Sequence, residues 1–119
     1  MATPFTYHAK ARSTFKPPLM ANENAFLGDI DSSDKRNPEK PISAGFYRQE
    51  KGTPLIYEYT YDEMGIVLEG ELEIADETGQ KVLGTPGDVF YFPRGTKVTF
   101  SSASYGLAFY TGQRAKGAA

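Results

Sequence analysis

A carboxylate and three phenols fall at alternate positions in the stretch Tyr57-Glu-Tyr59-Thr-Tyr61-Asp-Glu63. Successive side chains of an extended strand point to opposite sides, so this spacing predicts that Tyr57, Tyr59, Tyr61 and Glu63 share one face. A glutamate surrounded by aromatic rings is poorly solvated when charged. Its pKa then moves toward neutrality, which suits it to taking and returning a proton. The phenols can polarise a substrate oxygen or stack against a flat ligand. Glu63, Tyr59 and Tyr57 are therefore the candidate catalytic residues, and Tyr61 is a candidate substrate contact. Packing alternatives stand beside these roles: Glu63 can pair with a buried Arg, and each Tyr can be an ordinary strand aromatic.

Such a face needs a barrel or sandwich to enclose it. The 119 residues suffice for one domain and one core. Twelve Gly and eight Pro punctuate short runs rich in Val, Ile, Tyr, Phe and Thr, a pattern that predicts an all-β chain. Strands are expected at 43–50, 54–61, 65–69, 71–76, 80–84, 88–92, 97–101 and 105–111. Turn signals separate them at Gly70, Glu77-Thr-Gly79, Gly84-Thr-Pro-Gly87 and Pro93-Arg-Gly95. Residues 1–40 read as an N-terminal arm packing on a barrel at 41–114. Within the arm, Phe15 to Met20 and Ala25 to Ile30 can each supply an edge strand or a helical turn, and DIDSSDKRNPEKP is the least core-like segment. The Ala-rich end RAKGAA is set aside, with 115–119 expected as a disordered tail.

Composition narrows the partners. Net charge is -2, and the 13 basic residues are spread without a run, which argues against nucleic acid and anionic membrane. With no cysteine there is no disulfide framework, thiolate zinc site or cysteine nucleophile. No stretch approaches the roughly 18 apolar residues of a membrane span, and the N-terminus lacks a signal-like apolar region. A soluble cytoplasmic protein acting on a small molecule is expected.

Two blocks, Tyr57-x-Tyr59-x3-Glu63-x6-Gly70 and Gly87-Asp88-x4-Pro93-x-Gly95-x2-Val98, resemble the cupin superfamily. The resemblance implies a double-stranded β-helix, or jelly-roll barrel. It also implies where a typical cupin holds its metal: the His-x-His pair falls on Tyr57 and Tyr59, the Glu on Glu63 and the last His on Val98. Three of those four ligand positions carry no histidine here, and the single histidine, His8, lies outside both blocks. A neutral phenol is a poor metal ligand unless the metal is strongly acidic. No metal and no other cofactor is therefore expected. Within the superfamily, AGFYRQE, YDEMGIVLEGELEI and PGDVFYFPRGTKVTFSS are similar to the EutQ-like cupins over residues 44–111, a subgroup in which the usual histidines are commonly missing. The acetate-kinase activity proposed for EutQ is not carried over, since the chain shows no phosphate-cradling Gly-rich loop and lacks the longer N-terminal region of that protein.

Further substrate contacts are expected at Arg48, Phe46, Tyr91 and Val98. Arg48 is the candidate pocket cation, on a strand whose parity is open: Phe46, Arg48 and Glu50 share one face, Tyr47 and Gln49 the other. Together these residues predict a metal-independent isomerase, cyclase, dehydratase or decarboxylase acting on a cyclic or aromatic oxygenated metabolite. A non-catalytic small-molecule binding cupin and a metal-dependent cupin with tyrosinate ligands are the alternatives. Exposed sheet edges and a strand-forming arm predict a homodimer.

Overall fold

The computed structural model describes residues 2–119. A single helical turn, α1 (Ala11–Thr14), precedes ten strands: β1 (Leu19–Ala21), β2 (Ala25–Ser32), β3 (Ser43–Glu50), β4 (Leu55–Glu58), β5 (Glu63–Gly70), β6 (Leu72–Asp76), β7 (Lys81–Gly84), β8 (Val89–Phe92), β9 (Lys97–Ser101) and β10 (Tyr105–Gly112). They form two antiparallel sheets, ordered β1-β2-β3-β10-β5-β8 and β4-β9-β6-β7. From β3 onward the chain changes sheet at every connection except the β6–β7 hairpin. This alternation makes the fold a jelly roll, as the sequence predicts.

The core fills the space between the sheets. Val67, Leu72 and Val98 are almost fully enclosed there, with Leu55, Ile74 and Phe100 beside them. Two glycines let the sheets close. Gly70 ends β5 at φ 67, and a Cβ there would stand 2.1 Å from the Tyr105 carbonyl oxygen. At Gly45, where β2, β3 and β10 run side by side, a Cβ would meet the Gly28 carbonyl oxygen at 1.9 Å and the Tyr110 hydroxyl at 2.7 Å.

Two expectations are corrected, and one is made specific. The strand expected at 54–61 ends at Glu58, because the chain must cross to the other sheet before β5 can begin at Glu63. Of the edge strand or helical turn that the arm was expected to supply, the structure has strands, β1 and β2, and β2 pairs along β3 from Ala25↔Gln49 to Ser32↔Ser43. The strand runs on to Ser32, past the expected Ile30, and the side chain of Asp29 within it is buried against a partner distant in sequence. The tail expected to be disordered from residue 115 is pinned instead, with the Lys116 and Gly117 N–H groups donating to the Asp34 and Asp29 carboxylates at 3.0 and 2.8 Å.

Gly45→Ala should cost about 3 kcal/mol, because the methyl group has no space that side-chain motion alone can open. Denaturant unfolding measures it; a variant as stable as the parent would show that β2 can move away without penalty.

Candidate functional site

The crossover from β4 to β5 builds the site. Its backbone is fixed against the turn before β9 by Tyr59 N–H donating to the Thr96 carbonyl (2.9 Å) and Gly95 N–H donating to the Tyr59 carbonyl (2.7 Å). At the other end, Gln113 N–H donates to the Asp62 carbonyl (3.0 Å) and Arg94 N–H to the Asp62 carboxylate (2.9 Å). Tyr57 therefore projects from the four-stranded sheet and Glu63 from the six-stranded one, with Tyr59 and Tyr61 between them. The four residues converge as the sequence predicts, but through a change of sheet and not along one strand face.

Their hydroxyls form two pairs. Tyr59 donates to Glu63 Oε2 at 2.6 Å, and the Tyr57 and Tyr61 hydroxyls lie 2.8 Å apart. The Tyr59 ring stacks on Phe92 with centroids 4.9 Å apart and planes 2° from parallel. These groups border a narrow, mostly apolar cleft between the sheets, whose free volume is about 40 Å³. Tyr47, Phe90, Phe100 and Tyr110 line it too.

Burial dominates the electrostatics. Glu63 is 7% exposed, and loss of solvation pushes its pKa up to about 7 against the opposing pull of the Tyr59 hydrogen bond and the nearby Arg114 charge. Desolvation likewise raises Tyr59 and Tyr61 far above the ordinary phenol range, so both remain neutral. Of Glu63, Tyr59 and Tyr61, Glu63 has its pKa nearest neutrality.

The cation of this region is Arg114, not Arg48. Arg114 grips Asp29 in a buried bidentate pair, with Nη1 to Oδ2 at 2.7 Å and Nη2 to Oδ1 at 2.8 Å. Asp29 also accepts from the Tyr110 hydroxyl at 2.6 Å. Burial pushes the Asp29 carboxyl up, but these donors and the Gly117 N–H prevail and hold it at about 2.

Four other candidates lie elsewhere. Arg48 is on the outer face of β3, bonded to Glu50 at 2.9 Å and set over the Tyr105 ring at 4.4 Å. Phe46 shares that outer face and packs between Phe15 and Phe109 under the N-terminal segment. Tyr91 points out of β8 and donates to Asp62 at 3.0 Å. Val98 sits in the core opposite Tyr57 and does not line the cleft. The inner face of β3 carries Tyr47 and Gln49, whose side chains bond each other. Parity could not resolve this from the sequence, because both faces mix aromatic and polar residues and the N-terminal segment covers Phe46 on the outer one.

A metal fits this donor set poorly. It offers one carboxylate beside the Tyr59 and Tyr61 phenols, which are held neutral, and among the described residues no three His, Cys, Asp or Glu side chains gather as a metal site would need.

Comparison with known proteins follows the same lines. The family described as ethanolamine utilisation protein EutQ matches residues 32–116. Acetate kinase EutQ of Escherichia coli (strain K12) is 36% identical over 63 residues, 53% of this chain and 26% of that protein. The chain spans between about a quarter and two fifths of the length of the curated relatives it matches. Among solved structures, a putative ethanolamine utilization protein Q from Salmonella typhimurium LT2 superposes with TM-score 0.65 at 26% identity, covering 77% of this chain and 71% of that one. An RmlC-like cupin from Shewanella frigidimarina gives TM-score 0.56 at 21% identity, covering 64% and 68%, and shares the fold.

Glu63 binds its proton more tightly in the fold (about 7) than in an open chain (4.5), so its stabilising effect is complete below pH 4.5 and lost as pH rises through 7. The amount is on the order of 3 kcal/mol. Asp29 acts oppositely: its contribution is complete above 3.8 and lost as pH falls toward about 2. Glu63→Gln still accepts from Tyr59 and does not ionise, so thermal melts should show the parent losing stability relative to this variant between pH 4.5 and 8. Parallel pH curves would contradict the buried, protonated carboxyl.

Proposed function

Because the chain belongs to the EutQ family of cupins, we propose that this family's barrel serves here as a metal-independent enzyme that moves a proton on a small cyclic or aromatic oxygenated molecule. The carrying observation is the Tyr59–Glu63 pair: a carboxyl near pKa 7 on the wall of an apolar cleft, bonded at 2.6 Å to a phenol that does not ionise. A group with its pKa near the working pH is suited to both halves of a proton transfer.

In the proposed step, ionised Glu63 takes a proton from carbon next to a substrate carbonyl. The electron pair of that C–H bond moves toward the carbonyl oxygen, which accepts a hydrogen bond from the Tyr57–Tyr61 hydroxyl pair. The protonated Glu63 then returns the proton to another atom of the substrate, completing an isomerisation, or to a leaving group, completing a dehydration. Tyr59 holds the carboxyl through one oxygen and leaves the other for the substrate. The apolar walls favour a flat molecule and keep water from competing for the proton.

The ligand in this reading is electrically neutral. No Lys or Arg lines the cleft, and both Nη groups of Arg114 are committed to Asp29. Phosphoryl transfer relies on cations or backbone N–H groups around the phosphate, so the activity named for the E. coli relative is not proposed here. The protein would work in the cytoplasm as a homodimer, with the exposed Met64, Val89 and Tyr91 on the outer face of β5 and β8 as contact surface. A monomer by sedimentation at micromolar concentration would remove the dimer.

Incubation with cyclohexenone or acetophenone in D2O should give Glu63-dependent exchange of the α-protons, read by NMR, with kcat/KM rising through about pH 7. Glu63→Gln should lower the rate about 10²- to 10⁴-fold. Equal exchange by parent and variant would refute the mechanism, and saturable binding of these ketones with no exchange by either would indicate a binding barrel.

A further inference from the structure

β7 ends one sheet and β8 the other, and no ladder joins these two edges, so the barrel stays open between them. A second cavity lies there. It adjoins the cleft, sharing Ile74, Phe90 and Phe92 with it as wall, but neither Glu63 nor the phenols of the crossover line it. Its free volume is about 250 Å³, against about 40 Å³ for the cleft. A void of about 150 Å³ already holds benzene, so a single ring with a substituent fits.

The lining is mostly apolar on its inner side. Ile74, Val82 and Val98 face it, and the Phe90 and Phe92 rings beside them lie 3° from parallel with centroids 6.0 Å apart. One carboxylate interrupts this surface. Asp76 stands two residues beyond Ile74 on β6, hence on the same inward face, and its register partner on β9 is the buried Val98. Its Oδ1 accepts from the Thr78 hydroxyl at 2.6 Å and the Thr78 N–H at 2.8 Å, which hold the carboxyl below the usual carboxylate range. Oδ2 has no partner among the described residues. No Lys or Arg among them lines the cavity, so Asp76 is its one ionised group at neutral pH.

We propose that this cavity is a binding site for a small organic cation, a protonated amine carried on a single ring, with the ammonium at Asp76 and the ring against Phe90 and Phe92. An unpaired carboxylate attracts an ammonium and repels an anion, and aromatic faces favour both a flat apolar body and a cation. Charge thus separates the two spaces: the cleft suits a neutral molecule, the seam a positive one. The site does not depend on the proton-transfer reading of Glu63, and either can fail alone.

Benzylamine, protonated at pH 7, is the probe, with benzyl alcohol and benzoate as its neutral and anionic counterparts. Amide NMR titration of the parent should show saturable shifts at Asp76, Gln80, Val82 and Tyr91, with a Kd on the order of 1 mM. Benzyl alcohol should bind about tenfold more weakly, and benzoate should not saturate. Asp76→Asn keeps an acceptor for Thr78 but not the charge, and should weaken benzylamine about tenfold. Val82→Phe fills the cavity and should abolish binding; if it does not fold, Asp76→Asn decides by itself. No saturation in the parent, equal affinity for the three probes, or undiminished binding to Asp76→Asn would overturn the site. Binding that survives Asp76→Asn but is lost in Glu63→Gln would place the amine in the cleft and equally refute it.

Discussion

The site depends on how the chain satisfies its backbone polar groups while crossing from one sheet to the other. A crossover beside a core cannot leave N–H and C=O groups unpaired. Here the main chain of Tyr59 is bonded to the Gly95–Thr96 turn, and that of Asp62 to the residue after β10. Those bonds fix where the side chains of Tyr59, Tyr61 and Glu63 point. Once they are fixed, the stacking of Tyr59 on Phe92 and the desolvation of Glu63 follow from the space available. The turn carrying Pro93 and Gly95, which reads in the sequence only as punctuation, is therefore part of what aims the carboxyl.

The sequence showed the barrel well and the site unevenly. Strands 43–50 and 97–101 coincide with β3 and β9, because period-two alternation and flanking turn residues mark them clearly. The Tyr57–Glu63 cluster was visible from residue type and spacing, although one-strand reasoning assigned the convergence to the wrong geometry. Asp29 and Arg114 were hidden for a different reason. Each sits in a polar or Ala-rich segment, where local pattern gives no sign of burial, and they are brought together only by the assembled fold. Arg48, with the same chemistry and a better-looking context, lies on the outer face of β3. No local signal distinguishes a buried Arg from an exposed one when its partner is this far away in sequence.

A jelly roll directs side chains from both sheets toward one interior point, which is why the superfamily can hold a metal there. In the function proposed here, the same convergence serves a different purpose, with phenols standing where imidazoles would. A metal supplies positive charge and takes up electron density directly. A desolvated carboxyl with neutral hydroxyl donors offers a mobile proton and oriented hydrogen bonds. The surrounding requirements change accordingly: what matters is no longer ligand count but the exclusion of water and the balance of nearby charge.

The Asp29–Arg114 contact spans 85 positions of sequence, so it closes a loop that contains nearly the whole barrel. Contacts of such high order form late in folding, because the entropy of bringing the ends together must be met before they contribute. The electrostatic setting of the cleft is therefore not a property of any local segment that could appear early or persist after partial opening. It exists only while β2 and the chain end beyond β10 remain docked, which ties the support behind the Tyr61 and Tyr110 rings to the cooperativity of the entire domain.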